Sequence, residues 1–217
     1  MPPAADATPP PRILALAGAN GAGKSSVGGA FLRETGGAYF NPDEIARGMR
    51  SADPSLDVAA ANGRAWAAGR RLLENAIRGR HDFALETTLG GRTIPGLLAA
   101  AADTGFEVRV WYAGLATPEL HLARVAARVR HGGHDIPEHD IRRRFDDSRR
   151  NLVLLLPRLA ELLVYDNSAE ADPALGATPR PLLVLHVRRG RIIGPPILAR
   201  TPAWARPIVA ASRKLAR

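Results

Sequence analysis

Gly18-Ala-Asn-Gly-Ala-Gly-Lys24-Ser25 is the stretch whose reading decides the fold of this chain. It fits the pattern G-x-x-x-x-G-K-[ST] of a phosphate-binding loop. Glycines at this spacing let the backbone curl until successive N–H groups face phosphate oxygens, and the helix that follows adds its positive end. The expected contacts to a nucleoside triphosphate are Gly18, Ala19, Asn20, Gly21, Ala22, Gly23, Lys24, Ser25 and Ser26. Within this set Lys24 reaches the β- and γ-phosphates, and the Ser25 hydroxyl is a Mg2+ ligand. The context fits. Residues 12–17 form a short apolar run that reads as a buried strand, and 24–34 carry helical spacing at Val27, Ala30 and Phe31. Lysine is so scarce that its place is informative: it occurs only at positions 24 and 214.

Outward from the loop, short strands alternate with helices. Strands are expected at 38–41, 81–86, 106–112 and 162–166, with a terminal hairpin over 182–187 and 192–193. Helices are expected at 56–78, 94–102 and 118–130, then at 137–163 with an interruption near Asn151 or Pro157, and finally at 203–215. Residues 169–180 read as a loop. Such alternation predicts an α/β fold with a parallel sheet flanked by helices, and the phosphate loop makes it a P-loop NTPase. Right-handed crossovers then gather the strand C-termini on one edge, where ligands bind. The expected organisation is a flexible leader over 1–11 and one domain over 12–217, with a helical lid at about 124–150.

Composition removes several classes. The 217 residues contain no Cys, which excludes disulfides, thiolate zinc sites and Cys nucleophiles. No run approaches the roughly 18 apolar residues of a membrane helix. The Pro- and Ala-rich start lacks the layout of a secretory leader, so a cytoplasmic protein without a membrane partner is expected. A formal net charge of +9 invites nucleic acid, but only 5% of residues are aromatic, a poor supply for base stacking. The positive charge is nearly all Arg, in a chain rich in Ala, Gly and Pro. This argues against nucleic acid as the partner.

Three further clusters carry chemistry. Asn41-Pro-Asp-Glu44 follows an expected strand, so Asp43 either takes the proton of an attacking hydroxyl or caps the helix starting near Glu44. Glu86-Thr87-Thr88 ends another strand. It could hold Mg2+ water, bind substrate hydroxyls, or cap the next helix. Arg124, Arg128 and Arg130, the Gly132-Gly133-His134 break, and Arg142, Arg143 and Arg144 suit a lid that closes over phosphates, or else solvated helix faces. His134 reads equally as a loop residue. Two carboxylates after strands and an arginine lid favour phosphoryl transfer over a mechanical ATPase. The other readings are a nucleic-acid end kinase and an ATP-hydrolysing switch without an acceptor.

Together these blocks, with Tyr39-Phe40, Phe83-Ala-Leu, Ile136-Pro137, Phe145 and Tyr165-Asp-Asn-Ser168, resemble the zeta toxin-like P-loop kinases, in particular their small stand-alone branch. The resemblance implies a nucleotide-kinase-like fold with a helical lid, ATP (or GTP) as phosphoryl donor with Mg2+, and a small-molecule acceptor. In zeta toxins this is a hydroxyl of the sugar nucleotide UDP-N-acetylglucosamine. It implies Asp43 as catalytic base. It also implies an acceptor site at Glu86, Thr87, Thr88 and Arg92, and lid arginines drawn from Arg128 or Arg130 and Arg143 or Arg144, with Arg128 and Arg144 the leading pair. Asp166-Asn167-Ser168 would lie near the nucleotide base. Toxin members carry Glu-Gly-Thr where this chain has Glu86-Thr87-Thr88. An antitoxin partner is a further implication of the family.

Overall fold

The computed structural model describes residues 9–36, 39–131, 133, 135–169, 180–195 and 200–216. Most of the leader, Ala38, Gly132, His134 and most of the loop at 169–180 lie outside them. Among the described residues a six-stranded sheet runs in the order β2-β1-β3-β4-β5-β6. Its strands are β1 (Arg12–Ala17), β2 (Phe83–Thr87), β3 (Glu107–Gly114), β4 (Glu161–Asp166), β5 (Leu182–Arg188) and β6 (Arg191–Gly194). The first four are parallel, and β5 and β6 add the expected antiparallel hairpin. The α/β fold read from the sequence is the one observed.

Both faces of the sheet are covered at β1, which is why it is apolar from Ile13 to Ala17 instead of alternating. Ile13, Ala15 and Ala17 point into one core with Leu73, Leu98, Val110, Leu152 and Ile208. Leu14 and Leu16 point into the other with Val27 and Phe31. The covering helices are α1 (Lys24–Glu34), α3 (Val58–Gly79), α4 (Thr93–Asp103), α5 (Pro118–Arg130), α6 (Glu138–Leu155) and α7 (Arg206–Leu215), with α2 (Pro42–Ala52) packed beside α3. A 3₁₀ turn (Ala203–Ala205) leads into α7.

One expectation changes, and one is decided between its two alternatives. The strand expected at 38–41 shrinks to one parallel bridge, Phe40 to Leu85. The Phe40 N–H donates to the Ala84 carbonyl at 2.8 Å and its carbonyl accepts from Glu86 N–H at 2.8 Å. The strand cannot extend because Asn41 already caps α2 and Pro42 opens it. The long helix expected over 137–163 breaks at Pro157, not at Asn151: a 3₁₀ turn spans Leu156–Arg158 and β4 takes over from Glu161.

The two ends of α6 have different jobs. Its second half is anchored in the core, where Leu152 is fully buried and the Tyr112 hydroxyl meets Ser148 Oγ at 3.0 Å. Burial pushes the Tyr112 phenol up to about 12. Its first half carries Arg142, Arg143 and Arg144 toward the C-terminal edge of the sheet.

Candidate active site

The loop between β1 and α1 is built from glycines that no other residue replaces cheaply. Gly18, Gly21 and Gly23 have φ of +144°, +78° and +71°. A Cβ on Gly18 would stand 2.2 Å from the Ala113 carbonyl oxygen, and one on Gly23 2.2 Å from Asn167 Nδ2. Ala19 and Ala22 are buried, so they offer the loop their backbones rather than their side chains. Lys24 lies back along the loop, its Nζ donating to the Gly18 carbonyl at 3.0 Å and 3.3 Å from Glu86 Oε1. Ser25 is exposed at the start of α1, and its hydroxyl makes no side-chain hydrogen bond among the described residues. The side chain of Ser26 lies outside the description.

Three struts hold this loop from outside. Asn167, after β4, donates from Nδ2 to the carbonyls of Ala22 at 3.0 Å and Gly23 at 3.4 Å, and Arg124 of α5 donates to the Asn167 carbonyl at 2.8 Å. Arg144 of α6 donates to Asn20 Oδ1 at 2.7 Å. His121 of α5, fully buried, sits 2.6 Å from the Asn20 carbonyl through Nδ1. A carbonyl only accepts, so Nδ1 carries the proton. Burial, with Lys24, Arg124 and Arg149 nearby, pushes the His121 imidazole down to about 4, which keeps it neutral.

Beside the loop opens a cavity of about 760 Å³, lined among others by Asn20, Asp43, Glu86, Thr87, Thr88, Arg143 and Arg144. The sheet register explains the convergence: Ala17 pairs with Thr87, so the loop and the Glu86-Thr87-Thr88 segment leave the sheet side by side. Asp43 stands in the first turn of α2, but it is Asn41 that caps this helix, accepting from Asp43 N–H at 3.0 Å and Glu44 N–H at 3.4 Å. The Asp43 carboxylate is left for the cavity, with Arg128 Nη1 3.7 Å away. Thr87 and Thr88 accept from Leu89 and Gly90 N–H through their hydroxyls and keep the hydroxyl protons to donate. Asn151 of α6 pins the following turn by donating to the Leu89 and Gly91 carbonyls at 2.6 and 2.9 Å.

Not every expected residue comes to the cavity. Arg92 is exposed at the start of α4 and does not line it. Arg142 is taken by Glu119 and Glu138, and Arg130 is exposed. Arg143 and Arg144 do line the cavity and share Asp140. Gly133 tucks against Arg128, where a Cβ would lie 2.6 Å from Arg128 Cγ, so glycine here permits the packing behind that arginine. Gly132 and His134 lie outside the described residues. Asp166 is engaged by Trp204 Nε1 at 3.1 Å and by Ser168.

Of the residues that brace the site, sequence reasoning singled out Arg124, Arg144 and Asn167 and missed His121 and Asn151. His121 carried a faint signal, an imidazole at the helical spacing of Val125. Asn151 carried none, because both its partners are backbone carbonyls some sixty residues away in the chain.

Residues 13–152 match the model of the AAA domain family. An uncharacterized protein of Haemophilus influenzae is 33% identical over 138 residues, spanning 62% of this chain and 92% of that protein. Among solved structures, AvrRxo1-ORF1:-ORF2 with ATP is similar with a TM-score of 0.65 at 16% identity, over 93% of this chain, which spans 63% of that one. The PezAT chromosomal toxin-antitoxin system of Streptococcus pneumoniae has a TM-score of 0.55 at 18% identity, over 82% of this chain and 78% of that one. At these identities the two structural likenesses are likenesses of fold, that of a P-loop NTPase. With its phosphate loop, β2 and β3 inside the matched stretch, the chain belongs to the AAA domain family.

Proposed function

We propose that this protein is a kinase that moves the γ-phosphate of ATP (or GTP) to a hydroxyl of a small molecule, with a sugar nucleotide such as UDP-N-acetylglucosamine the leading acceptor. The observation that carries the reading is the shared cavity. Asp43 and phosphate-loop residue Asn20 open onto the same space, and that space is large enough for an organic acceptor. A mechanical ATPase needs no such room beside its γ-phosphate.

In this reading Asp43 accepts the acceptor's hydroxyl proton as its oxygen bonds to the γ-phosphorus. The bond from phosphorus to the β–γ bridging oxygen breaks, and the nucleoside diphosphate leaves. Lys24 exchanges the Gly18 carbonyl and Glu86 for phosphate oxygens. Arg128 pairs with the Asp43 carboxylate and, with Arg144, faces the charge that develops on the transferring group. Glu86, Thr87 and Thr88 orient the acceptor, while Arg92, exposed beside α4, serves at the rim. The exposed Ser25 hydroxyl suits Mg2+, which takes few protein ligands and draws the rest from phosphates and water. When bound, the ion would neutralise phosphate charge. A cytoplasmic location and an antitoxin-type partner protein, as in the PezAT toxin-antitoxin system, belong to the same proposal.

The test is incubation with Mg-ATP and a panel of sugar nucleotides, nucleosides, aminoglycosides and nucleic-acid ends. Mass spectrometry would read the gain of one phosphoryl group, with Lys24→Ala as the blank. A phosphorylated small molecule is expected. Steady phosphate release with no labelled acceptor would turn the reading toward a hydrolysing switch.

A further inference from the structure

The cavity that holds Asp43 has a second wall, one face of α3. Val58, Asn62, Trp66 and Arg70 follow one another at four-residue intervals, so they stack along one side of the helix, with Gly63 beside them, and all line the cavity. Trp66 differs from the other two tryptophans. Trp204 is buried, and Trp111 packs edge-on against Phe31 at 5.8 Å, whereas Trp66 is 47% exposed. The guanidinium of Arg70 lies 5.9 Å from the Trp66 ring centroid and is tied to Glu74 at 3.0 Å, which fixes one side of the indole. One turn before Trp66, the side-chain amide of Asn62 has no hydrogen-bond partner among the described residues. A Cβ built on Gly63 would meet nothing within 4 Å, so the space above this turn is open.

A flat apolar platform, a polar fork one turn away and open room between them match a ring that bears hydroxyl or amide groups. We propose that the α3 face is the specificity subsite of the acceptor: a ring of the acceptor lies on the Trp66 indole, Asn62 bonds its polar substituents, and the reactive hydroxyl reaches Asp43. The assignment rests on the kinase reading above and narrows it to ring-bearing acceptors, sugar or heteroaromatic, as against acyclic polyols or amino-acid hydroxyls. Both kinds of ring present a flat face, and the test separates them.

Calorimetric titrations of the wild-type protein, saturated with a non-hydrolysable ATP analogue, would use uridine, N-acetylglucosamine, UDP-N-acetylglucosamine and acyclic sorbitol. Phosphoryl transfer to the same compounds would be measured in parallel. The variants are Trp66→Ala, Trp66→Phe and Gly63→Leu. The last places bulk in the open space and raises helix propensity, so its loss of binding cannot be unfolding. The expected result is that a ring compound binds and sorbitol does not. Trp66→Ala and Gly63→Leu should weaken that binding by about tenfold or more, and Trp66→Phe should restore most of it. ATP-analogue affinity should stay unchanged throughout. Uridine binding alone assigns a heteroaromatic ring to the indole, and N-acetylglucosamine binding alone assigns a sugar ring. Binding without transfer would overturn the kinase reading while leaving the ring subsite. Transfer that neither Trp66→Ala nor Gly63→Leu alters, or a preference for sorbitol, would overturn the subsite.

Discussion

The two sides of the cavity are built to opposite rules. On the phosphate-loop side nearly every polar group is spoken for: Asn20 is gripped at both its carbonyls, Asn167 spans two loop carbonyls, and the glycines leave no room for a methyl group. On the side that the proposed reading gives to the acceptor, Asp43 and its ion-pair partner Arg128 are each about two-fifths exposed, at 40% and 38%, Trp66 is half bare, and Gly63 faces open space. A triphosphate has one shape, so a rigid, fully bonded cradle suits it. In the proposed reading the acceptor is chosen by side chains that the fold leaves exposed. Damage to the first side should therefore appear as lost stability, and damage to the second as lost chemistry in a folded protein.

The strongest test of that contrast is Asp43→Ala. Transfer should fall by about 10²- to 10⁴-fold, the usual worth of a positioned base. The melting temperature should hardly move, because an ion pair this exposed is worth at most about 1 kcal/mol. A large drop in melting temperature would erase the distinction between the sides. Next comes Gly18→Ala. Its new Cβ meets the Ala113 carbonyl at 2.2 Å, and urea denaturation should show a loss of about 3 kcal/mol or more.

A third test uses pH. Burial holds the His121 imidazole near 4, below its ordinary 6.5, so the folded protein keeps it neutral while the unfolded chain protonates it. The proton thus favours the unfolded state. Stability should be unaffected above pH 6.5, fall as pH drops from 6.5 to 4, and level off below, with a loss of about 3 kcal/mol at most. Subtracting the curve of His121→Asn isolates this effect from the carboxylates, and identical curves would remove His121 from its role as a strut. The smallest effect is expected for Asn167→Ala. Loss of its bonds to the Ala22 and Gly23 carbonyls should cost about 1–2 kcal/mol and weaken ATP binding in proportion, as a fluorescent ATP analogue would report.

The same contrast explains what the sequence could disclose. Residues 12–17, the phosphate loop and the helix at 118–130 were legible because local rules govern them: an apolar run, glycine spacing, and a proline at the helix start, where the structure adds a Thr117 cap. The edge strand at 38–41 was overread because apolar Tyr39 and Phe40 look like strand residues. Only the tertiary structure shows Phe40 spending its ring on Gly69 of α3, where a Cβ would lie 2.4 Å away. Asp43 and Glu86 were singled out because each stands at the end of an expected strand, and both line the cavity. The α3 wall was not, since an Ala- and Arg-rich helix with one tryptophan gives no hint of which face meets a cavity. Likewise Asn151 and His121 act on backbone atoms distant in sequence, and no side-chain pattern records a partnership with a carbonyl.

The hairpin that closes the sheet bears on solubility. Among the described residues β6 is the outer strand, and an outer strand offers a row of unpaired amides to any passing chain. This one is only four residues long. It is preceded by Arg188 and Arg189, 59% and 78% exposed, and begins with exposed Arg191. Brevity and like charge together make edge-to-edge stacking of two copies unfavourable, despite the bare side chain of Ile193. Some of the arginine excess that first suggests a polyanion partner thus acts here as a guard against self-association.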